Sequence, residues 1–178
     1  MSRTLFNSLM LAALATLLGG CGLTQTVADA STSTAKAIFY KQVKTLHLDF
    51  SGRVATNADA TDMRALSVPT LVRVYQLRDS KALERATYDR LLSDDDSLLS
   101  ADLLDKQAVV VKPEEGAQLN VPLHKEARFV AVVALFRDPD TRMSTWRLTL
   151  ARDGLDPDRA RVLELGDNRL TLRPLAKD

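Results

Sequence analysis

The chain has 178 residues, with 24 Lys and Arg against 23 Asp and Glu, two His and a single Cys. A formal charge of +1 without a long basic run gives no electrostatic footprint for nucleic acid, and one Cys leaves no internal disulfide framework. Aromatic residues make up only 5%, too few for a platform on which sugars or single strands would stack.

Arg3 precedes an apolar run, Leu5 to Leu18, broken only by Asn7, Ser8 and Thr16. At about 14 residues the run falls short of the roughly 20 that cross a bilayer as a helix. It ends in Leu18-Gly19-Gly20-Cys21, small residues followed by a thiol. That order suits a lipoprotein signal: the thiol takes a diacylglyceryl group, and cleavage then exposes an amine for a further acyl chain. Residues 1–20 are therefore predicted to be a signal peptide and Cys21 the lipidated residue; the alternative is a plain secretory signal that happens to contain a Cys. One acyl chain holds a protein to a membrane only marginally, whereas several hold it firmly. In lipoprotein sorting an Asp after the lipidated Cys favours inner-membrane retention, so Gly22 favours the periplasmic face of the outer membrane. Cleavage removes one charged residue, Arg3, and leaves 23 basic against 23 acidic groups.

Residues 21–37 are small and polar, including Thr24, Gln25, Thr26, Asp29 and Ser31 to Thr34. They read as a flexible tether with a span of roughly 20–25 Å. A single folded domain is predicted from 38 to 178. Leu46, Leu48 and Phe50 alternate with Thr45, His47 and Asp49, the period of a half-buried strand. The polar stretch 52–67 separates it from a second strand, Pro69 to Leu77, and is too long for an ordinary hairpin loop. Ser80 is the expected N-cap of a helix running to Leu92, with Leu83, Ala86, Leu91 and Leu92 on one face. Asp94-Asp95-Asp96-Ser97 is expected to start a second helical turn carrying Leu98, Leu99, Leu103 and Leu104. There the acidic run offsets the helix dipole; it lacks the spacing of a calcium loop.

Strand patterns resume at 107–111 and 118–123. The run 129–136 is apolar on both faces, as in a central strand covered on both sides. Trp146, Leu148 and Leu150 alternate next, and strands at 162–165 and 170–172 flank a tight Gly166-Asp167-Asn168 hairpin. Seven or eight short strands with one helical insertion predict a mainly β, two-sheet sandwich of antiparallel sheets. Phe129, Val133, Leu135, Trp146 and Leu148 are expected in its core.

No nucleophile elbow, phosphate-binding glycine loop or paired-His metal motif occurs, so no catalytic residue, cofactor or metal is assigned. His47 and His124 read as solvent-facing, and zinc usually needs three or four protein ligands. A binding protein is favoured over an enzyme.

With these residues laid out, the chain resembles the TssJ (VasD/Lip) family, the outer-membrane lipoproteins of type VI secretion. The strongest likeness is Val68-Pro69-Thr70-Leu71-Val72-Arg73-Val74-Tyr75-Gln76-Leu77, similar to the family's proline-led VRIYQL strand. The lipobox, the helix after the Tyr-Gln-Leu strand, the run Arg128 to Arg137 and Trp146-Arg147 follow in the same order. Two departures stand out. Lys112-Pro113-Glu114-Glu115-Gly116 replaces the family's Pro-Gly-Glu, and Leu83 stands where a helical Phe is common. The resemblance implies a transthyretin-like sandwich with a helical addition. It also implies a partner, the periplasmic C-terminal region of the inner-membrane protein TssM, bound by a scaffold without turnover.

Loop length and resemblance together nominate the 52–67 loop as the partner surface. Asn57, Asp59, Thr61, Asp62 and Arg64 would supply hydrogen bonds there, and Met63 and Leu66 the apolar centre. The alternative is a periplasmic ligand-binding or chaperone lipoprotein on a similar sandwich, which a concave aromatic pocket would favour. A hydrolase would need a cleft of buried, pKa-shifted carboxylates.

Overall fold

Period-two alternation of apolar side chains resolves into eight strands in a computed structural model that describes residues 43–54 and 67–175. In chain order these are β1 (Thr45–Gly52), β2 (Thr70–Leu77), helices α1 (Lys81–Arg85) and α2 (Tyr88–Leu99), then β3 (Leu103–Val111), β4 (Gly116–Pro122) and β5 (Phe129–Leu135). They continue with β6 (Arg147–Ala151), a 3-10 turn (Arg152–Gly154), β7 (Arg161–Gly166) and β8 (Arg169–Leu172). The strands form two four-stranded sheets, ordered β4-β1-β7-β8 and β3-β2-β5-β6. This is the expected two-sheet sandwich with a small helical insertion. One detail differs from expectation: β1 and β7 pair in parallel, Leu48 opposite Arg161 through Gly52 opposite Leu165, so the first sheet is mixed. Parallel neighbours need a crossover, and here most of the chain lies between them.

Leu46, Leu48 and Phe50 of β1 are buried, as the alternation predicts. β2 and β5 are the inner strands of the second sheet, and Val130 to Ala134 are buried on both faces. Val72 and Val74 face the sandwich core, while Arg73 and Tyr75 reach the helices packed on the outer face. Of the predicted core residues, Val133 and Trp146 are buried, but Phe129, Leu135 and Leu148 are only half-buried. Phe129 and Leu135 terminate β5 and Leu148 lies on the edge strand β6, where one flank lacks cover.

The helical region departs further from expectation. Ser80 is the N-cap, as expected, and its carbonyl accepts from the Glu84 amide at 2.9 Å. Its hydroxyl, however, donates to the Glu84 carboxylate at 2.5 Å rather than bonding the backbone, and Asp79 Oδ1 accepts from the Lys81 amide at 2.9 Å. The helix breaks after Arg85 and restarts at Tyr88, and α2 kinks at Asp94. Leu103 and Leu104 begin β3 rather than extending the helix.

Gly52 is where the two sheets' turns meet. Its amide donates to Glu115 O at 2.9 Å, and any Cβ there would lie 2.2 Å from Lys112 O, so only glycine fits. The Lys112–Glu115 turn is closed by Glu115 N donating to Lys112 O at 3.2 Å, with Glu114 at φ 60. Pro at the second position and positive φ at the third define a type II turn, where glycine is preferred. Asp167 and Asn168 both have positive φ, the type I′ geometry of the expected hairpin.

Candidate functional site

The sandwich has two distinct ends. The chain enters at Val43, and the near end holds the 123–128 connection and the 3-10 turn. Buried Arg152 gathers this end: its guanidinium donates to Val43 O at 2.7 Å, His124 O at 2.8 Å and Ala127 O at 2.9 Å. Gln76 adds a bond to Pro122 O at 3.0 Å and accepts from the His124 amide at 2.7 Å. Sequence reading left Arg152 unremarked and gave Gln76 only a place in the Val68 to Leu77 strand, because a buried Arg or Gln leaves no period of its own.

The far end is where β1 finishes, β2 starts, and the Lys112–Glu115, 136–146 and Asp167-Asn168 connections turn. Both flanks of the 52–67 loop lie here. Arg53 N donates to Leu165 O at 2.8 Å, and its side chain meets Glu164 Oε2 at 2.5 Å. Glu164 also binds Arg173, and the two guanidiniums hold its carboxyl below the ordinary Glu value. The predicted contact residues Asn57, Asp59, Thr61, Asp62, Met63, Arg64 and Leu66 lie outside the described residues, as does Cys21.

The helical insertion is fastened to the second sheet by polar groups that the sequence did not reveal. Arg147, next to Trp146, ties down α1 by donating to Leu83 O at 2.5 Å, Ala86 O at 2.9 Å and Glu84 O at 2.9 Å. Its guanidinium lies 4.8 Å from the Trp146 ring centre, a cation–π distance, and Tyr88 meets Trp146 edge-on at 5.2 Å. The Tyr88 hydroxyl donates to Phe136 O at 2.5 Å. On the kinked part of α2, Asp95 is buried against Tyr75, Arg73 and Lys106. Burial acts to raise its pKa, but the Tyr75 hydroxyl and the two cations outweigh that and leave it below the ordinary Asp value. The Tyr75 hydroxyl is pushed well above its ordinary value, chiefly by burial and then by Asp95. The middle of the acidic run thus serves as a tertiary ion-pair partner as well as a helix-end charge.

His47 Nδ1 lies 2.6 Å from Asn120 Oδ1 across the β1–β4 ladder, and His124 Nδ1 accepts from the Glu126 amide at 3.2 Å. Both are local polar partners on the surface. Among the described residues no group of three or more His, Cys, Asp or Glu is placed to hold a metal ion.

The type VI secretion lipoprotein family (VasD, EvfM, TssJ) matches residues 44–172, which covers every strand of both sheets. The chain belongs to this family. Solved structures agree. A chain of a type VI membrane complex is 37% identical, with a TM-score of 0.70, over 74% of this chain and 99% of that one. A chain from a structure described as the T6SS protein TssM C-terminal domain from EAEC is 35% identical, with a TM-score of 0.66, over 75% of this chain and all of that one. Serratia marcescens Lip, a membrane-bound component of the type VI secretion system, is 25% identical, with a TM-score of 0.65, over 75% of this chain and 99% of that one. No curated protein matches the chain. The family assignment agrees with the resemblance carried by the Val68 to Leu77 strand, and of the two departures from the family pattern one falls in the core and the other in an exposed turn. Leu83 is buried, and exposed Glu114 lies in the tight turn whose Lys112 and Glu115 carbonyls pack against Gly52.

Proposed function

We propose that this type VI secretion lipoprotein is held in the outer membrane by acyl chains on Cys21 and binds the periplasmic C-terminal region of TssM through its far end. It would thereby fasten the secretion system's membrane complex to the outer membrane, as a scaffold and not an enzyme. The observation that carries this reading is the separation of the two ends. The chain enters the sandwich at Val43, and β1 carries it 8 residues to the opposite end before the 52–67 loop begins. A contact surface at the far end would therefore be turned away from the terminus that bears the lipid. Support also comes from the 35% identical chain found in a structure of the TssM C-terminal domain.

The test replaces Thr56 to Arg64 with a short Gly-Ser linker in the mature lipoprotein held in detergent micelles. The urea midpoint is expected to stay within about 0.5 kcal/mol of wild type, the usual range for surface changes remote from the core. Calorimetric binding to the TssM periplasmic region is expected to disappear, and secretion with it. Full binding by the folded variant would put the contact elsewhere.

A further inference from the structure

Gly166 is not required by the hairpin that it opens. The turn takes its positive φ angles at Asp167 and Asn168, and among the described residues no glycine has a positive φ. What calls for a residue without a side chain at 166 is Arg53: a Cβ there would lie 3.0 Å from Arg53 Cδ and 3.3 Å from Arg53 Cβ. The Arg53 stem therefore packs over Gly166, and its head reaches Glu164, two residues back on the same face of β7. Glu164 divides its carboxylate between two arginines. Oε2 accepts from Arg53 Nη2 at 2.5 Å and Nε at 3.2 Å, and Oε1 accepts from Arg173 Nε at 3.1 Å. The Arg53 amide adds its bond to Leu165 O at 2.8 Å, and the Gly52 amide before it a bond to Glu115 O at 2.9 Å. Side-chain and main-chain restraints thus converge on the first residue after β1, where the chain enters the 52–67 loop.

We infer that Glu164 is a positioning residue for the partner contact: through Arg53 it sets the direction in which the chain leaves β1 for the loop. This deepens the partner reading given above and rests on it. Folding stability gives a poor account of the arrangement. The Arg53 and Arg173 side chains are 66% and 58% exposed, and ion pairs made by long, exposed side chains contribute little, because solvent screens them and ordering them costs entropy. Holding the root of a binding segment in one direction acts on affinity instead, since less freedom remains to be lost when the partner is engaged. Arg173, just past β8, braces the second carboxylate oxygen, so Glu164 is held from both sides. The room left by Gly166 serves the same end and owes nothing to charge, which makes it an independent sign that the pose of Arg53 is built into the sheet.

Glu164→Gln, which keeps the shape and removes the charge, tests the inference in the mature lipoprotein in detergent micelles. The urea midpoint is expected to stay close to wild type, and hydrogen exchange at the Arg53 amide to quicken. Calorimetric Kd for the TssM periplasmic region is expected to rise about fivefold. Gly166→Ala removes no charge but pushes the Arg53 stem aside, and should raise Kd in the same way. In an Arg53→Ala background Glu164→Gln should weaken binding no further, because Glu164 acts through Arg53. A full additional loss there would make Glu164 a direct contact and overturn the positioning role. Wild-type Kd in both Glu164→Gln and Gly166→Ala would overturn it too, whether or not the midpoint falls. If replacing the loop still abolishes binding in that case, the partner reading stands without the clamp. Binding that survives loop replacement, or is absent in wild type, would overturn both.

Discussion

Asp95 accepts a hydrogen bond from Tyr75 Oη at 2.7 Å and lies 3.2 Å from Arg73 Nη1 and 3.4 Å from Lys106 Nζ. Tyr75 is fully buried on the sheet, so Asp95 is the acceptor that satisfies its hydroxyl. Asp95→Ala would leave that hydroxyl without its partner and two cations without their counter-charge. The expected loss in urea melts is about 2–3 kcal/mol, the range for buried hydrogen bonds to a charged group. The pH dependence follows from the two shifts. The folded Asp95 pKa is depressed, so its contribution is fully present above the unfolded carboxylate value of about 4 and is lost as pH falls through the folded value. The folded Tyr75 pKa is raised, so the native state keeps a proton that the unfolded chain releases above about pH 10, and stability falls again there. In Asp95→Ala the acid arm should flatten relative to wild type; an unchanged acid arm would remove Asp95 from that role. None of this was legible in the sequence. Three consecutive Asp residues look the same to a helix dipole, and only the sheet behind them singles out the middle one.

Whole elements were more legible than their joints. The period of two located strands such as β1 that bury one face, and the doubly apolar run 129–136 marked β5 as a central strand covered on both faces. Helix limits were misjudged at Leu103-Leu104, since two leucines suit a helix face and a strand equally well. The parallel β1–β7 pair was hidden because strand direction depends on tertiary path, not on local pattern. The Lys112–Glu115 turn was flagged by its departure from the family's Pro-Gly-Glu, and its geometry explains why that matters. Glu114 sits at φ 60, in a region that costs a residue with a Cβ about 1–3 kcal/mol. Glu114→Gly relieves that strain but gains freedom in the unfolded chain, so a net stabilisation of about 1 kcal/mol is expected in urea melts. Its salt-bridging neighbour Glu115, 3.2 Å from Lys112 Nζ, is untouched by the change. A midpoint that falls would mean that the Glu114 side chain makes a favourable contact outweighing its backbone.

At the scale of the molecule, the scaffold reading requires two attachments that are independent of each other. Arg152 closes the near end over Val43 O, and Leu123 N donates to Lys44 O at 2.8 Å beside it. Cys21→Ser would remove the only thiol and with it every acyl chain, since the lipoprotein pathway begins on that sulfur. The expected result is uncleaved precursor, or a chain that no longer fractionates with the outer membrane. Its calorimetric affinity for the TssM periplasmic region should match wild type, because the far-end surface lies at the other end of β1. Secretion should fail all the same: a scaffold that holds its partner but not the membrane transmits no attachment. Cys21→Ser protein recovered with the outer membrane in wild-type amounts, and normally processed, would overturn the lipid anchor. A loss of partner affinity together with the anchor would instead show that the two attachments are coupled through the sandwich.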